Sequence, residues 1–308
     1  MKKTALLLLV VGAICSCSKK NDTPVVPKPT PTPTPPPTQQ FDYIAKIEGF
    51  RPTNGGKGKE MVQEINFNYD NQMRLVSVVE KYPNSTIQKV VESKFSYSGQ
   101  TIKFVHNEHE RDKSLTQGTE YYLTLDAKGK AIQLVEKNYP KNTSPKTYTA
   151  EGYTYDNKGH LTEYKRSEGF TASLTWQNGN MTKWVHKSTE GTETEPWRYT
   201  SYPNRTYPDL GLFLRGRMEE SYWVDHLGLR SANITSGYTI MEGEEGQSID
   251  ELKYKLDAKG RPVEVEEASN GNPTWIHVIT YVKKEPSLHT HEIIRGRKPM
   301  SFLPRILF

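Results

Sequence analysis

A unit made of a short strand, a tight polar turn and a second strand recurs along the chain, and it constrains the fold more than any other feature. In the clearest copies an alternating segment ends in an aromatic residue or leucine, and Asp then opens the turn. These copies read INFNYDNQMRLVSVV from Ile65, YYLTLDAKGKAIQLV from Tyr121, YTYDNKGHLTEY from Tyr153 and LKYKLDAKGRPVEVE from Leu252. Weaker copies begin at Phe95, Leu174 and Trp223. Serial hairpins of this kind predict an antiparallel β architecture.

The spacing of Asp and Gly within the unit has a physical reason. An Asp side chain at the first turn position accepts hydrogen bonds from the backbone that follows it. Gly at the fourth position allows the positive φ that a bulged type I turn requires. Four pairs fit this arrangement: Asp126 with Gly129, Asp156 with Gly159, Asp225 with Gly228, and Asp257 with Gly260. We expect a hairpin turn at each of them.

The turns recur at regular intervals, with first residues at 70, 98, 126, 156, 177, 225 and 257. The interval between 177 and 225 is too wide for one unit, and a degenerate copy at 198–208 would fill it. This gives about eight hairpins and up to sixteen strands. Because a single hairpin is unstable without neighbours, residues 41–308 are expected to form one domain. The predicted fold is an all-β antiparallel meander of serial hairpins, curled into a barrel-like or rolled sheet.

The two faces of this sheet differ in polarity. In the copy that begins at Leu252, apolar residues alternate with Lys253 and Lys255, and valines after the turn alternate with Glu264 and Glu266. Lysines on one strand can therefore face glutamates on the next. A transmembrane barrel shows similar alternation, but its strands need about 9 to 11 residues, and the clean alternation here is shorter. The pattern favours a soluble sheet or barrel with its apolar face inward.

The amino terminus is organised as a secretory signal. A basic start at 1–3 precedes an apolar segment at 5–14 that is too short to cross a membrane as a helix. The small residue Ser16 stands directly before Cys17. This arrangement resembles a bacterial lipobox, which implies that residues 1–16 are removed as a signal peptide and that Cys17 carries a lipid. An ordinary secretory signal with two incidental cysteines is the alternative.

A proline-rich tether follows the predicted lipid anchor. Eight of the 20 prolines lie between Pro24 and Pro37, where they remove backbone donors and favour polyproline II. Residues 17–40 are therefore expected to form the lipid anchor and tether, and the stretch from Pro24 to Thr38 could hold the folded domain roughly 45 Å from the membrane at about 3.1 Å per residue. Ser18 rather than Asp follows Cys17, which is typical of sorting to the outer membrane.

The lipobox, the tether and the serial hairpins together resemble known surface proteins. The aromatic-Asp-x-x-Gly unit is similar to the tyrosine-aspartate repeats of Rhs-type proteins. The whole chain resembles an uncharacterised family of Bacteroidetes outer-membrane lipoproteins with a porin-like fold, over most of residues 41–282. The resemblance implies an extended antiparallel sheet that curls toward closure. It assigns no catalytic residues to this chain.

Charge and motif content narrow the possible partners. The formal charge is +5, but the cationic excess lies in the amino-terminal segments and in residues 283–308. It therefore does not indicate a nucleic-acid partner, and the expected membrane contact is the lipid anchor. His106 with His109, and His289 with His291, offer only pairs of ligands, so no metal site is predicted. No motif indicates a cofactor or a catalytic residue.

The remaining signal is a concentration of tryptophan and tyrosine in the second half of the chain. Most of these aromatic residues are expected to fill the core. Trp197 and Tyr202, flanked by Pro196 and Pro203, are predicted to lie exposed in a loop and to contact a ligand.

These observations predict a non-enzymatic binding or scaffold lipoprotein displayed on the outer membrane. Its ligand would be a glycan or an outer-membrane partner protein, for instance in a nutrient-uptake assembly. The periplasmic face of the same membrane is the alternative location. Two alternative functions stay open: a surface hydrolase of glycans with carboxylates on its loops, and a membrane pore.

Overall fold

The computed structural model describes residues 41–53, 58–84, 89–110, 115–140, 144–242 and 246–283. The predicted signal peptide, Cys17, the tether, the basic carboxyl-terminal tail and the pair His289 and His291 lie outside these residues. The described chain contains seventeen strands, three short helices and a 3₁₀ turn at Ser167–Gly169.

The strands are β1 (Asp42–Thr53), β2 (Gly58–Tyr69), β3 (Leu75–Lys81), β4 (Val90–Ser98), β5 (Thr101–His109), β6 (Leu115–Leu125), β7 (Ala131–Pro140), β8 (Lys146–Tyr155), β9 (Leu161–Arg166), β10 (Phe170–Gln177), β11 (Asn180–Lys187), β12 (Thr192–Pro203), β13 (Thr206–Tyr207), β14 (Asn233–Glu242), β15 (Gly246–Leu256), β16 (Pro262–Ser269) and β17 (Asn272–Tyr281). The helices are α1 (Leu210–Leu214), α2 (Met218–Tyr222) and α3 (Val224–Leu227).

The strands close into a barrel. β1 pairs antiparallel with β2 on one side and with β17 on the other, and every other strand except β13 pairs antiparallel with its neighbours in chain order. The two-residue β13 instead pairs parallel with the start of β1. The described residues thus form a 16-strand antiparallel barrel. The predicted all-β meander is confirmed.

Inward and outward faces follow the two-residue period of the strands. On β15, Leu252 is buried while Lys253 and Lys255 are exposed. The register places Lys253 opposite Glu266 and Lys255 opposite Glu264 on β16, as the alternation predicted. The apolar residues therefore face the barrel interior, and cross-strand charge pairs cover the outside.

Asp and Gly close the hairpin turns at one end of the barrel. At Asp126, Oδ1 accepts hydrogen bonds from the backbone N–H of Lys128 and Lys130, both at 2.8 Å. The N–H of Gly129 donates to the Asp126 carbonyl at 3.0 Å, and Gly129 has φ of 79°. Asp156 with Gly159 and Asp257 with Gly260 have the same geometry.

The hairpin turn predicted at Asp225 and Gly228 is wrong. Asp225 lies in α3, and Gly228 is the left-handed residue that ends this helix. A Cβ on Gly228 would lie 2.4 Å from the carbonyl oxygen of Gly159, so the helix end packs directly against the turn between β8 and β9. The Asp-x-x-Gly spacing is shared by a bulged turn and a glycine-capped helix, and the local sequence alone does not separate them.

The degenerate hairpin predicted at 198–208 is also wrong. Residues up to Pro203 continue the long strand β12, and Thr206–Tyr207 form β13. The wide interval contains the three helices instead, because its apolar residues come in runs rather than in alternation. Strands β12 and β14 therefore pair with each other, and the helices are inserted between them in the sequence. The barrel closes where β1, the first described strand in chain order, pairs with β17, the last.

We call α1 to α3, residues 210–227, the plug because they fill one end of the barrel interior. Phe213 packs on Phe67 of β2 at a ring-centroid distance of 5.8 Å, and Tyr222 packs on Phe95 of β4 at 5.4 Å. Arg217 reaches the opposite wall at β11 and β12. Contacts with both walls place the plug inside the lumen. None of the described helices is long and apolar enough to span a bilayer.

A series of hydrogen bonds links consecutive hairpins near the Asp-Gly turns. In each, the aromatic residue near the end of one strand donates from its side chain to a backbone carbonyl near the start of the preceding strand, over 2.6 to 2.9 Å. The pairs are Tyr69 with Ile44, Tyr97 with Leu75, Tyr155 with Ala131, Trp176 with Leu161, Tyr199 with Met181, Tyr254 with Thr235 and Tyr281 with Pro262. The bonds join hairpins at the end of the barrel where the chain does not connect them.

Candidate functional site

The inner face of the barrel becomes polar beyond this aromatic layer. Along β3 the buried inward position changes from Val78 to Glu80 as the strand runs away from its turn, and along β11 it changes from Trp184 to His186. The buried polar residues of this inner belt are Glu80, Ser93, Thr119, His186, Glu195, Asp250 and His277. Buried ionisable groups are costly unless they are paired, so the belt marks the region where a function is expected.

The plug is held to the belt by a charge cluster around Glu195, which is fully buried on β12. Its Oε1 lies 2.6 Å from Nη2 of Arg217 and 3.0 Å from Nη2 of Arg215, and both groups donate to it. Burial opposes the charged form of Glu195, but the guanidinium charges of Arg217 and Arg215 outweigh burial and hold its pKa well below the usual range. Glu195 is therefore ionised at neutral pH.

His186 completes this cluster as a neutral acceptor. Nη2 of Arg217 lies 2.7 Å from Nε2 of His186, and a guanidinium can only donate, so Nε2 carries no proton. Burial lowers the pKa of His186 in agreement with this.

His186, Glu193 and Glu195 also have the spacing of a metal-ligand set, with ligand atoms within 4.8 Å of one another. Arg217 and Arg215 already donate to Glu195, and their charges would repel a metal ion. The geometry therefore favours a structural lock between plug and wall over a metal centre.

A cavity of about 270 Å³ lies between the plug and the wall formed by β6 to β9 and β11, and we call it the luminal cavity. Its polar and aromatic lining consists of Tyr121, Glu136, Tyr153, Tyr164, Arg166, Trp184, Glu219, Glu220 and Trp223. Leucines from the wall and from the plug complete it. Aromatic surface with a few convergent polar groups is typical of a small-molecule site.

Glu219 is the least compensated charge in this cavity. Among the described side chains, the Tyr121 hydroxyl alone donates a hydrogen bond to it, at 3.4 Å. Burial, reinforced by the Glu220 carboxylate beside it, raises the pKa of Glu219 to about 7. Glu219 therefore changes charge within the physiological pH range.

The other charged groups of the cavity have partners. Nη2 of Arg166 donates to Oε2 of Glu136 at 2.7 Å. Nη1 of Arg217 lies 3.7 Å from Oε1 of Glu220. Arg166 thus pairs with one carboxylate, whereas Arg217 is shared between Glu195 and Glu220. Glu219 adds a further negative charge when it ionises.

Two tyrosines add free hydroxyl groups. The rings of Tyr153 and Tyr164 stack with centroids 5.6 Å apart. Within the described ranges neither hydroxyl has a hydrogen-bond partner, while burial raises the pKa of both, so both stay protonated. Both hydroxyls can donate to or accept from a molecule in the cavity.

The luminal cavity continues into a wider cleft of about 770 Å³. Both are lined by Tyr164, Arg166 and Glu220, so these residues form the border between them. The cleft is also lined by residues 188–193, which include the exposed turn between β11 and β12. This route gives a small molecule access from the end of the barrel opposite the Asp-Gly turns.

Trp197 and Tyr202, the residues predicted from the sequence to contact a ligand, do not line the luminal cavity or the cleft. Trp197 belongs to β12 and is 5% exposed, so its prediction as an exposed loop residue is wrong. Pro196 suggested a loop, but it pairs in register with Lys183, and the strand period then turns Trp197 inward onto Tyr238 at 5.4 Å. Tyr202 is 44% exposed and lies near the carboxyl-terminal end of β12.

Sequence reasoning missed the glutamates of the plug, Glu219 and Glu220. The available signal was their position within the otherwise aromatic and apolar stretch MEESYWV that begins at Met218, inside the interval that was too wide for one hairpin. Adjacent carboxylates in an apolar stretch indicate buried charge.

Comparison with solved structures agrees with the fold. A porin-like protein from Bacteroides uniformis is similar with a TM-score of 0.56 and 14% identity, covering 78% of this chain and 100% of that one. A porin-like protein from Bacteroides vulgatus has a TM-score of 0.30 at 13% identity, covering 78% of this chain and 99% of its own. A β-barrel-like protein of a domain of unknown function from Brucella abortus also has 0.30, at 12% identity, covering 79% and 98%.

The Bacteroides uniformis protein shows that this chain has a porin-like barrel fold, as the resemblance implied. No family model matches the sequence. No curated protein is significantly similar to it.

Proposed function

We propose that this protein is a non-enzymatic, lipid-anchored barrel of the outer membrane that is displayed at the cell surface and binds a small polar ligand, such as a glycan, in its luminal cavity. The observation that carries the proposal is the cavity itself. It combines aromatic rings, an uncompensated carboxylate at Glu219 and the free hydroxyls of Tyr153 and Tyr164. Stacking rings and hydrogen-bonding groups of both kinds are what a sugar requires.

The outer wall supports attachment through a lipid rather than insertion of the barrel. Lys103 pairs with Glu120 across β5 and β6 at 2.8 Å, and Lys81 faces Glu64 across β2 and β3 at 3.8 Å. A lysine or arginine on the lipid face of a membrane barrel costs about 2–4 kcal/mol at the bilayer midplane. A wall with such pairs favours water outside, and the lipid predicted on Cys17 then supplies the membrane contact.

The plug supports binding rather than conduction. It fills one end of the barrel interior and is joined to the wall by the buried contact of Arg217 with Glu195. Removing one partner of a buried ion pair costs about 3–5 kcal/mol, so displacement of the plug would be unfavourable. A cavity closed on one side suits a binding site.

The binding proposal is tested with the full-length protein in detergent against a panel of mono- and oligosaccharides, by calorimetry. Tyr164→Phe removes one free hydroxyl and keeps the ring, and we expect it to weaken binding of the best saccharide about tenfold. Tyr202→Phe, at an exposed position away from the cavity, is the matched control and should bind normally. The proposal fails if no saccharide binds, or if Tyr164→Phe and Tyr153→Phe both bind as tightly as wild type.

The proposed location has its own test. Radiolabelled palmitate should enter the wild-type protein and not Cys17→Ala, and protease added to intact cells should cleave the surface-displayed barrel. Cys15→Ala is the matched control and should remain labelled. Protection of the barrel in intact cells, with cleavage only after the outer membrane is opened, would place it on the periplasmic face.

A glycan hydrolase is the second candidate, and one observation favours it. The luminal cavity holds a carboxyl group whose pKa is raised to about 7, at Glu219, near further carboxylates at Glu136 and Glu220. A protonated acid and an ionised carboxylate flanking the bond are the pair that glycoside hydrolysis uses. Release of nitrophenol from aryl glycosides, lost in Glu219→Gln and in Glu136→Gln, would establish this activity in place of simple binding.

A further inference from the structure

The charges that line the luminal cavity do not balance. Arg166 compensates Glu136 at 2.7 Å, and Arg217 compensates Glu220 at 3.7 Å. Among the described residues, no lysine, arginine or histidine forms an ion pair with Glu219. An ionised carboxylate in a buried site is stabilised by a cation, so the cavity is complementary to a positively charged ligand.

Aromatic rings make up much of the remaining lining, with Tyr121, Tyr153, Tyr164, Trp184 and Trp223 around the carboxylates. Ring faces attract organic cations within about 6 Å of the ring centroid. The protein already uses this interaction at the edge of the cavity, where Cζ of Arg217 lies 4.2 Å from the ring centroid of Trp184.

We propose that the luminal cavity binds a small organic ammonium ion, with Glu219 as its counter-ion and the hydroxyls of Tyr153 and Tyr164 as its hydrogen-bond partners. This inference rests on the proposed binding function and names the ligand chemistry of the same site. The ammonium group could belong to an amino sugar or to a choline-like amino alcohol, because the shared chemistry is a charged nitrogen close to a hydroxyl group. A volume of about 270 Å³ suits one unit of either kind.

A metal ion fits this cavity less well than an organic cation. Calcium takes six to eight converging oxygen ligands. Within the described ranges, the set of side chains with metal-ligand spacing is His186, Glu193 and Glu195, and Glu219 does not belong to it. Aromatic lining instead matches a cation that carries carbon.

The ionisation of Glu219 makes the affinity for a cation depend on pH, and this dependence can be measured on the wild-type protein. The titratable groups that act on Glu219 are Glu220 on the plug, Tyr121 on β6 and Glu136 on β7, and Arg166 on β9 lines the same cavity. Arg217 contacts Glu220 at the edge of the cavity. Burial keeps the pKa of Tyr121 far above neutrality. Choline does not titrate, so its affinity should rise several-fold between pH 6 and pH 8 as Glu219 ionises.

The test uses calorimetry on the full-length protein with two matched pairs of probes. Choline is compared with its neutral isostere 3,3-dimethyl-1-butanol, and glucosamine is compared with glucose. We expect at least one charged member to bind at least tenfold more tightly than its neutral partner, and the pair that shows this difference identifies the source of the nitrogen. Glu219→Gln keeps the size of the side chain and should abolish the difference, whereas Glu266→Gln on the exposed outer face should preserve it.

The measurements separate failure of the ammonium inference from failure of the proposed binding function. If glucose binds as tightly as glucosamine and choline does not bind, the ammonium inference is wrong and the proposed glycan-binding function stands. If none of the probes and no saccharide of the panel binds, both fail. If the affinity of the wild-type protein for choline does not change between pH 6 and pH 8, Glu219 is not the counter-ion. This measurement does not depend on whether Glu219→Gln folds.

Discussion

The hydroxyl of Tyr155 donates a 2.9 Å hydrogen bond to the backbone carbonyl of Ala131, at the start of the preceding strand. This bond explains the tyrosine directly before Asp in the units from Ile65 and Tyr153. The Asp-Gly turn reverses the chain, and the aromatic side chain connects that turn to the neighbouring hairpin. The units from Tyr121 and Leu252 have leucine before Asp, and in the second of these Tyr254 donates instead.

Tyr155→Phe should therefore destabilise the barrel by about 1–2 kcal/mol, because it leaves a carbonyl of the half-buried layer without its donor. Urea denaturation followed by tryptophan fluorescence measures the change. Tyr202→Phe removes an exposed hydroxyl and should change the free energy of unfolding by less than about 0.5 kcal/mol. Equal effects of the two substitutions would contradict a structural role for these bonds.

Met73 occupies the fourth position of the turn that Asp70 opens, where Gly129, Gly159 and Gly260 stand in the corresponding turns. Asp70 accepts from the backbone of Gln72 and Arg74 as Asp126 does in its own turn, but Met73 has φ of 59°. A left-handed conformation costs an L-residue roughly 1–2 kcal/mol. Met73→Gly should stabilise the protein by about 0.5–1 kcal/mol after the entropy of glycine in the unfolded chain is subtracted.

Thermal denaturation of this variant should give a higher Tm than wild type. Met73→Ala is the matched control, because it shortens the side chain but keeps the Cβ that disfavours this conformation. An increase in Tm of the same size in the alanine variant would show that the methionine side chain, and not the backbone, is responsible.

Arg217→Met should destabilise the protein by about 3 kcal/mol, because it leaves the buried Glu195 with one fewer donor. The effect should change little between low and high salt, since a buried pair is poorly screened. The exposed pair of Lys255 and Glu264 provides the comparison, and Lys255→Met should change the free energy of unfolding far less than Arg217→Met. A loss at Arg217 no larger than that at Lys255 would argue against the lock between plug and wall.

The stability of the protein should depend on pH through Glu219. Burial raises the pKa of its carboxyl from 4.5 to about 7 on folding, so ionisation disfavours the folded state. This penalty is absent below about pH 4.5, grows as the pH rises toward 7 and is complete above it. Glu219→Gln should therefore match wild type near pH 4.5 and exceed it by about 2–3 kcal/mol at pH 8.

Urea midpoints of both proteins at the two pH values give the difference directly, because the other titrating groups are common to both. A stability difference that does not change between pH 4.5 and pH 8 would show that Glu219 titrates as it does in the unfolded chain.

The local elements of this barrel could be predicted from the order of the amino acids. Alternation along segments such as that from Leu252, and Asp at the first turn position with Gly at the fourth, specify strand faces and hairpin turns through contacts between residues close in sequence. The pairing of Lys255 with Glu264 followed from the same reasoning. The lipid anchor at Cys17 is a prediction from the sequence that concerns residues outside those described.

The closure of the barrel and the packing of the plug inside it depend on contacts between residues far apart in the chain. β1 pairs with β17, and these are the first and last described strands in the sequence. No local sequence pattern encodes a contact between residues so far apart in the chain. Asp225 and Gly228 have the spacing of a turn, yet Asp225 lies in a helix and Gly228 ends that helix against the Gly159 turn. Glu219 has a raised pKa, and Trp197 is buried, because the plug and the wall surround them. Burial is a property of the assembled chain, so it was not predicted from their neighbours in sequence.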